Sequence, residues 1–200
     1  MEPDEPPKGF HPWMRVPGDW RRPDSTDCYS LYWNAEAAYG TLSPRPRREA
    51  VAGFYDLSEY YTHREKPART GERANFHPRL LRRIAWSFDR GVEPNAAWWR
   101  AALGPDPRRI LEIGCGHGGN LKIVRDLGHT VIGLEPDPTA RAVAKAAGFE
   151  VHAGAAEELP SGVRDQRFDA IIFMHVLEHC LEPALALRNA YRLLEPGGLC

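Results

Sequence analysis

Residues 111–121 read LEIGCGHGGNL, where a short apolar run is followed by four glycines within six residues. Glycine loses more backbone freedom on folding than any other residue, so such a cluster needs a reason. Between a strand and a helix, glycines permit a tight turn and let a ligand approach the backbone, while the start of the helix offers unpaired N–H groups. We therefore predict a ligand-binding turn at Gly114 and Gly116, with a purely structural turn as the alternative.

The pattern around this turn is an alternation of strands and helices. Strands are predicted over 108–114, 130–135, 150–154 and 167–176, and helices over 119–129, 138–149 and 183–195, the last stopped by Pro196 and Gly197. This alternation indicates βαβ units, and strands that are apolar throughout indicate a parallel sheet covered on both faces. The sequence therefore predicts a doubly wound α/β fold.

The first hundred residues are less regular. Residues 1–50 combine many prolines and aromatics with little periodicity, which predicts an irregular lead-in. Helices are predicted over 48–64, 77–91 and 93–104, the last capped by Asn95 and ended by Gly104. We divide the chain into an irregular and helical N-terminal cap region (1–75), a helical lead-in (76–107) and a cofactor-binding domain (108–200).

Composition argues against several classes of protein. The chain has 200 residues, of which 42% are hydrophobic and 26% charged, with a formal net charge of -1. This charge gives no reason to expect nucleic acid or an anionic membrane as partner, and no apolar run approaches the roughly 18 residues of a membrane span. We expect a cytoplasmic protein. No zinc site or disulfide framework is predicted, because C-x-x-C spacing is missing among Cys28, Cys115, Cys180 and Cys200.

A second acidic position narrows the choice of ligand. Glu135 ends the second predicted strand of the α/β pattern, about 20 residues after the first glycine, where a carboxylate can accept hydrogen bonds from a ribose diol. Taken alone, Gly114, Gly116 and Gly119 also fit the G-x-G-x-x-G pattern of nicotinamide enzymes. A solvated acid at a strand end is the other alternative for Glu135.

Five segments in the last part of the chain resemble one known family. In order and spacing, about residues 105–200 are similar to the class I S-adenosylmethionine-dependent methyltransferases of the small-molecule type, through LEIGCGHGGNL, GLEPDP, GAAEELP, FDAIIFMHVLEH and LLEPGG. Glu112, two residues before Gly114, matches the acidic opening of the family's glycine motif. The resemblance implies a Rossmann-like sheet of seven strands. This chain would hold the first four and the start of the fifth, so it would be C-terminally incomplete and would leave 167–176 as an exposed edge.

The resemblance also implies roles for individual residues. Glu112 would hold the methionine end of S-adenosylmethionine, Glu135 would bind the ribose hydroxyls, and Ala156 would lie beside the adenine. Family members often have an acid where this chain has Ala155, so adenine recognition would rest on the backbone and Glu157. The full set of cofactor-binding positions that the resemblance implies is Glu112, Gly114, Cys115, Gly116, Asn120, Glu135, Pro136, Ala156, Glu157 and His175.

The end of the fourth strand, MHVLEH, would face the reacting centre. His175 is the candidate catalytic base, since an imidazole titrates near neutrality; the alternative is that it has no acid–base duty. Some relatives bind a divalent metal through Glu-x-x-Glu-His, but His175 replaces the first Glu. We therefore predict no metal site and expect Glu178 and His179 to serve in capping or surface packing.

The hypothesis that follows is methyl transfer from S-adenosylmethionine to a small-molecule acceptor. An NAD-linked oxidoreductase and a catalytically inactive cofactor-binding or interaction domain are the alternatives. The sequence does not identify the acceptor or choose between O-, N- and C-methylation, and it leaves a homodimer open. Residues 1–75 are expected to cover the cofactor and to help define the acceptor pocket.

Overall fold

A computed structural model of the chain describes residues 8–16, 28–47 and 94–200. The chain divides into two compact units, Met1–Gly71 and Glu72–Cys200. The helices predicted over 48–64 and 77–91 lie outside the described residues, as does the predicted boundary at residue 75. Among the residues described, no helix has the length and apolar content needed to cross a bilayer.

The first unit contains an antiparallel sheet of three strands, β1 (His11–Val16), β2 (Tyr29–Asn34) and β3 (Tyr39–Ser43). Trp33 in the central strand lies between His11 and Gly40. The expectation of an irregular lead-in over 1–50 is therefore wrong for these segments. Two features of β1 are not visible in its sequence. A register shift between Pro12 and Met14 breaks the alternation of side chains, and the strand pairs with β2 across an intervening segment.

The second unit is built on a parallel sheet with the strand order β6-β5-β4-β7-β8. This order confirms the doubly wound Rossmann-like fold, because the chain moves outward from β4 first in one direction and then in the other. The elements are α1 (Ala96–Leu103), β4 (Arg109–Ile113), α2 (Gly119–Asp126), β5 (Thr130–Glu135), α3 (Pro138–Ala146), β6 (Glu150–Ala153), α4 (Ser161–Arg164), β7 (Phe168–Phe173), α5 (Pro183–Leu193) and β8 (Leu194–Leu199).

The central strand β4 is buried on both faces. Ile110 and Leu111 are adjacent and both 0% exposed, and they belong to separate apolar clusters on the two sides of the sheet. Successive side chains of a strand point to opposite faces, so the apolar run of β4 serves two cores at once. This explains why the strand carries no polar alternation.

The predicted ends of α1 are confirmed. Asn95 Oδ1 accepts hydrogen bonds from the N–H groups of Ala97 and Trp98 at 3.0 Å each. Gly104 follows the helix with a φ of 77°, a conformation that favours glycine.

The C-terminal end differs from expectation in two ways. Helix α5 ends at Leu193, and Pro196 and Gly197 lie within strand β8 rather than stopping a helix. Strand β7 pairs with β8, so the predicted exposed edge over 167–176 is wrong. Proline is tolerated in β8 because the pairing with β7 shifts register between Phe168 and Ala170.

Candidate cofactor-binding site

The glycine turn lies at the carboxyl ends of β4 and β5. The N–H of Gly114 donates to the carbonyl of Leu134 at 2.7 Å, and the N–H of Gly118 donates to the carbonyl of Cys115 at 2.9 Å. Gly114 and Gly116 have positive φ values of 71° and 52°. A Cβ added to Gly116 would meet no atom of the described residues within 4 Å. The turn is therefore fixed by backbone hydrogen bonds and leaves space for a ligand at Gly116, as a ligand-binding turn requires.

Gly114 is the point where this turn touches the segment that follows β7. A Cβ added to Gly114 would lie 2.4 Å from Cγ2 of Val176. Glycine is therefore required at this position both by conformation and by space. The contact brings the glycine turn next to the MHVLEH segment, which contains His175.

Glu135 ends β5 with only 7% of its surface exposed. Its Oε2 accepts a hydrogen bond from the N–H of Gly116 at 2.8 Å, and its Oε1 accepts one from the N–H of Asp137 at 2.9 Å. A carboxylate has about four acceptor positions, so each oxygen can take a further donor. The structure thus brings Glu135 to the glycine turn with its orientation fixed.

Glu112 is 2% exposed. Asn120 Nδ2 donates to its Oε1 at 2.8 Å, while its Oε2 is buried with no hydrogen-bond partner among the described residues. Burial raises the pKa of Glu112 to about 7; hydrogen bonds from the Asn120 side chain and the Leu121 backbone oppose this rise, and the charge of Glu135 adds to it. A buried carboxylate oxygen without a donor is costly, so a cationic ligand group would fit here.

Cys115, between the two glycines, serves packing. Burial raises the pKa of its thiol to about 12, and the charges of Glu112 and Glu135 add to the rise. The thiol is therefore neutral at physiological pH and behaves as a small apolar group. A Cβ added to Gly133 of β5 would lie 2.5 Å from the Cys115 Sγ, so the glycine in β5 makes room for it.

The loop after β6 is bound to α5 by a residue that the sequence analysis missed. The Ala156 side chain is buried in the core, and its carbonyl accepts a hydrogen bond from Asn189 Nδ2 at 2.9 Å. Glu157 Oε1 accepts from the N–H of Glu182 at 2.6 Å. Asn189 could have been noticed as the polar member of an otherwise apolar stripe on α5 with Ala186, Ala190 and Leu193. Adenine contacts by Ala156 and Glu157 stay predictions.

His175 lies beyond the end of β7 with a φ of 55°, which is uncommon outside glycine. Its imidazole is 79% exposed, and its Nδ1 lies 3.4 Å from Oε1 of Glu178. Strained backbone of this kind is concentrated at functional sites. Pro136 is exposed beside Glu135, and the carbonyls of both accept from Arg141 Nη1. Within the described part of the chain, no cluster of three or more His, Cys, Asp or Glu could hold a metal ion.

Comparison with known proteins finds one matching family model and several similar proteins. Residues 111–200 match the family model described as Methyltransferase domain. The ubiquinone biosynthesis O-methyltransferase of Ruegeria pomeroyi is 34% identical over 127 residues, which cover 60% of this chain and 47% of the relative. A probable S-adenosylmethionine-dependent methyltransferase of Mycolicibacterium smegmatis is 32% identical over 94 residues, covering 46% of this chain and 36% of the relative.

Among solved structures, a TehB-like SAM-dependent methyltransferase from Corynebacterium glutamicum overlaps with a TM-score of 0.46 and 24% identity, covering 61% of this chain and 68% of that one. The chain spans less than half the length of the two curated relatives. The fold assignment therefore rests on the strand order described above. Together with the glycine turn and the acids at the ends of β4 and β5, the family model and the curated relatives show that residues 111–200 are a methyltransferase domain of the class I S-adenosylmethionine-dependent type.

Proposed function

We propose that the chain binds S-adenosylmethionine at the carboxyl ends of β4 and β5 and transfers its methyl group to a small-molecule acceptor. The observation that carries the proposal is the buried, unpartnered Oε2 of Glu112 beneath an open glycine turn. A cation placed there would satisfy the oxygen and would favour the ionised carboxylate. The amino group of the cofactor's methionine end is such a cation.

Glu135 complements Glu112 at the other end of the turn. Its carboxylate is already oriented by the N–H groups of Gly116 and Asp137, so accepting hydrogen bonds from the ribose hydroxyls would cost little further ordering. The open face at Gly116 lets the ligand pass close to the backbone between the two acids. These residues fit the cofactor at its ammonium and at its ribose diol.

When bound, S-adenosylmethionine supplies a methyl group on a positively charged sulfur. The task of the chain is alignment, because an in-line displacement depends on the relative position of its reactants. Val176 packs against Gly114, so the segment after β7 stays next to the cofactor turn. His175 Nδ1 faces Glu178, which leaves Nε2 as the nitrogen that would accept a proton from a hydroxyl acceptor.

Incubation with S-adenosylmethionine carrying a deuterated methyl group, followed by mass spectrometry of small-molecule pools, tests the proposal. Several curated relatives are named O-methyltransferases, so oxygen acceptors are the first class to examine. We expect label in a product with the wild type and with Glu195→Gln, which alters an exposed glutamate, and a strong reduction with Glu112→Gln. Label transfer that is unaffected by Glu112→Gln would contradict the assigned site. The cytoplasmic location and the homodimer stay predictions.

A further inference from the structure

We infer that Asn189 is a positioning residue for purine recognition: it fixes the Ala155–Glu158 loop so that a backbone N–H donor is left for the ring of the cofactor. The inference rests on the proposed function. Asn189 is 9% exposed and lies on the core face of α5, so its amide is held by packing. It is not among the residues through which the family resemblance implied cofactor binding.

The amide of Asn189 binds two consecutive carbonyls. Its Nδ2 donates to the carbonyl of Ala156 at 2.9 Å and to that of Glu157 at 3.2 Å. An amide NH2 group has two hydrogens, so one nitrogen can serve both acceptors. One side chain therefore sets the orientation of two successive peptide groups in the loop.

The loop's remaining backbone groups show which donors are left. The N–H of Glu158 donates to the carbonyl of Ala155 at 3.1 Å, closing a tight turn. The N–H groups of Ala156 and Glu157 make no hydrogen bond with any residue that the structure describes. The N–H of Glu157 shares a trans peptide with the Ala156 carbonyl, so it points away from Asn189. The hydrogen bond from Asn189 to the Ala156 carbonyl therefore orients the N–H of Glu157 away from α5.

A second tether holds the same loop from the start of α5. Glu157 Oε1 accepts from the N–H of Glu182 at 2.6 Å, about two helical turns before Asn189. A Cβ at Gly154, just before the loop, would lie 2.8 Å from Pro160 Cδ, so the loop's ends are also close together. The loop is therefore fixed at its base and along one side, while Glu157 itself remains half-buried.

The chemistry of the free donor indicates the kind of ring it selects. Ala155 carries no carboxylate that could accept from an exocyclic amino group, and Oε1 of Glu157 already accepts from the N–H of Glu182, so discrimination falls to the backbone donor. The N1 of adenine is an acceptor, whereas the N1 of hypoxanthine carries a hydrogen. A fixed N–H donor therefore favours adenine, and a loop released from Asn189 should lose both affinity and this preference.

The test compares S-adenosylhomocysteine with S-inosylhomocysteine by calorimetry. In the wild type we expect the adenine compound to bind more tightly. Asn189→Leu keeps a similar volume but removes the donor; it should weaken S-adenosylhomocysteine by roughly fivefold or more and reduce the preference between the two compounds. Glu157→Ala removes the second tether at a half-exposed position. It should lower the affinity for S-adenosylhomocysteine and the preference between the two compounds by smaller amounts, and it can be measured if Asn189→Leu does not fold.

A matched control separates positioning from loss of stability. Val131→Ala removes buried volume at the opposite end of β5 and should lower the melting temperature without changing the preference between the two rings. Wild-type binding with an unchanged ring preference in both loop-tether variants would overturn this inference alone. Failure of the wild type to bind S-adenosylhomocysteine would overturn the proposed function and the inference with it.

Discussion

The backbone N–H of Gly116 donates to Oε2 of Glu135 across 2.8 Å, so the acid that ends β5 is attached to the turn that follows β4. The same carboxylate also accepts from Asp137 at the start of the next connection. One side chain therefore sets the shape of the turn and presents acceptor positions toward its open side. Binding and local structure are coupled at this residue.

Glu135→Gln should weaken binding of S-adenosylhomocysteine by about tenfold or more. The amide places an NH2 group against the N–H of either Gly116 or Asp137, so one donor loses its acceptor and the turn shifts. Calorimetry on the variant and on Glu195→Gln, an exposed control, checks this. Equal affinity in the wild type and Glu135→Gln would remove Glu135 from the site.

Glu112 should make the unliganded protein less stable as pH rises. Its folded-state pKa of about 7 exceeds the ordinary value of 4.5, so the folded state binds the proton more tightly than the unfolded state. That stabilisation is complete below about pH 4.5 and is lost as pH rises through about 7, with a total of about 3 kcal/mol. Urea unfolding of wild type and Glu112→Gln at pH 5 and 8 should show Glu112→Gln gaining in relative stability at the higher pH; a constant difference would contradict the assignment.

Cofactor binding should release a proton from Glu112 near pH 7. A ligand ammonium beside Oε2 favours the ionised carboxylate, so the pKa of Glu112 falls on binding. Calorimetry in two buffers with different ionisation enthalpies measures the proton released per ligand. Release in the wild type that is absent in Glu112→Gln is expected, and equal release in both would assign the proton to another group.

Gly114→Ala should be far more damaging than Gly128→Ala. Both glycines have positive φ, at 71° and 97°, so both substitutions carry backbone strain. Only at Gly114 would the new Cβ overlap a neighbour, Cγ2 of Val176 at 2.4 Å, whereas at Gly128 nothing lies within 4 Å. We expect an additional loss of about 1–3 kcal/mol in unfolding free energy.

A double variant identifies the cause of that loss. Val176→Ala removes the overlapping methyl groups and should restore part of the stability that Gly114→Ala costs, a coupling that a double-mutant cycle measures. Strictly additive effects of the two substitutions would show that the overlap is relieved without Val176.

His175→Gln should lower kcat for a hydroxyl acceptor by about 10²-fold or more, with little change in the Kd of S-adenosylhomocysteine. General base catalysis typically contributes on this scale, and the exposed imidazole is not needed for cofactor affinity in the proposed arrangement. His179→Gln, a second exposed histidine in the Leu177–His179 turn, serves as the control. An unchanged kcat in His175→Gln would leave the residue without a proton-transfer role.

The sequence predicted the features whose cause is local. The glycines between β4 and α2 and the acid at the end of β5 follow from turn geometry and strand length, and both lie where expected. Asn189 was missed because its partners, the carbonyls of Ala156 and Glu157, lie more than thirty residues earlier, and only the folded chain brings them together.

Strand β1 escaped prediction because its pairing partner is not apparent from its own sequence. Strand β1 pairs with β2 across an intervening segment and through a register shift, so its alternation is broken. For strand β8 the resemblance predicted only the start of a strand; its proline and two glycines normally argue against a strand, and it is accepted beside β7 only where the ladder is irregular. The local sequence pattern predicts neither the partner of β1 nor the irregular pairing between β7 and β8.

Titration of S-adenosylhomocysteine into wild type and Glu112→Gln at pH 8, with Glu195→Gln as control, tests the central claim most directly. We predict one ligand bound per chain, with affinity reduced about tenfold or more by Glu112→Gln and unchanged by Glu195→Gln, because Glu112 offers a buried carboxylate oxygen to the ligand ammonium whereas Glu195 is exposed. Undiminished binding by Glu112→Gln, or no binding by the wild type, would contradict the assignment of this site to S-adenosylmethionine.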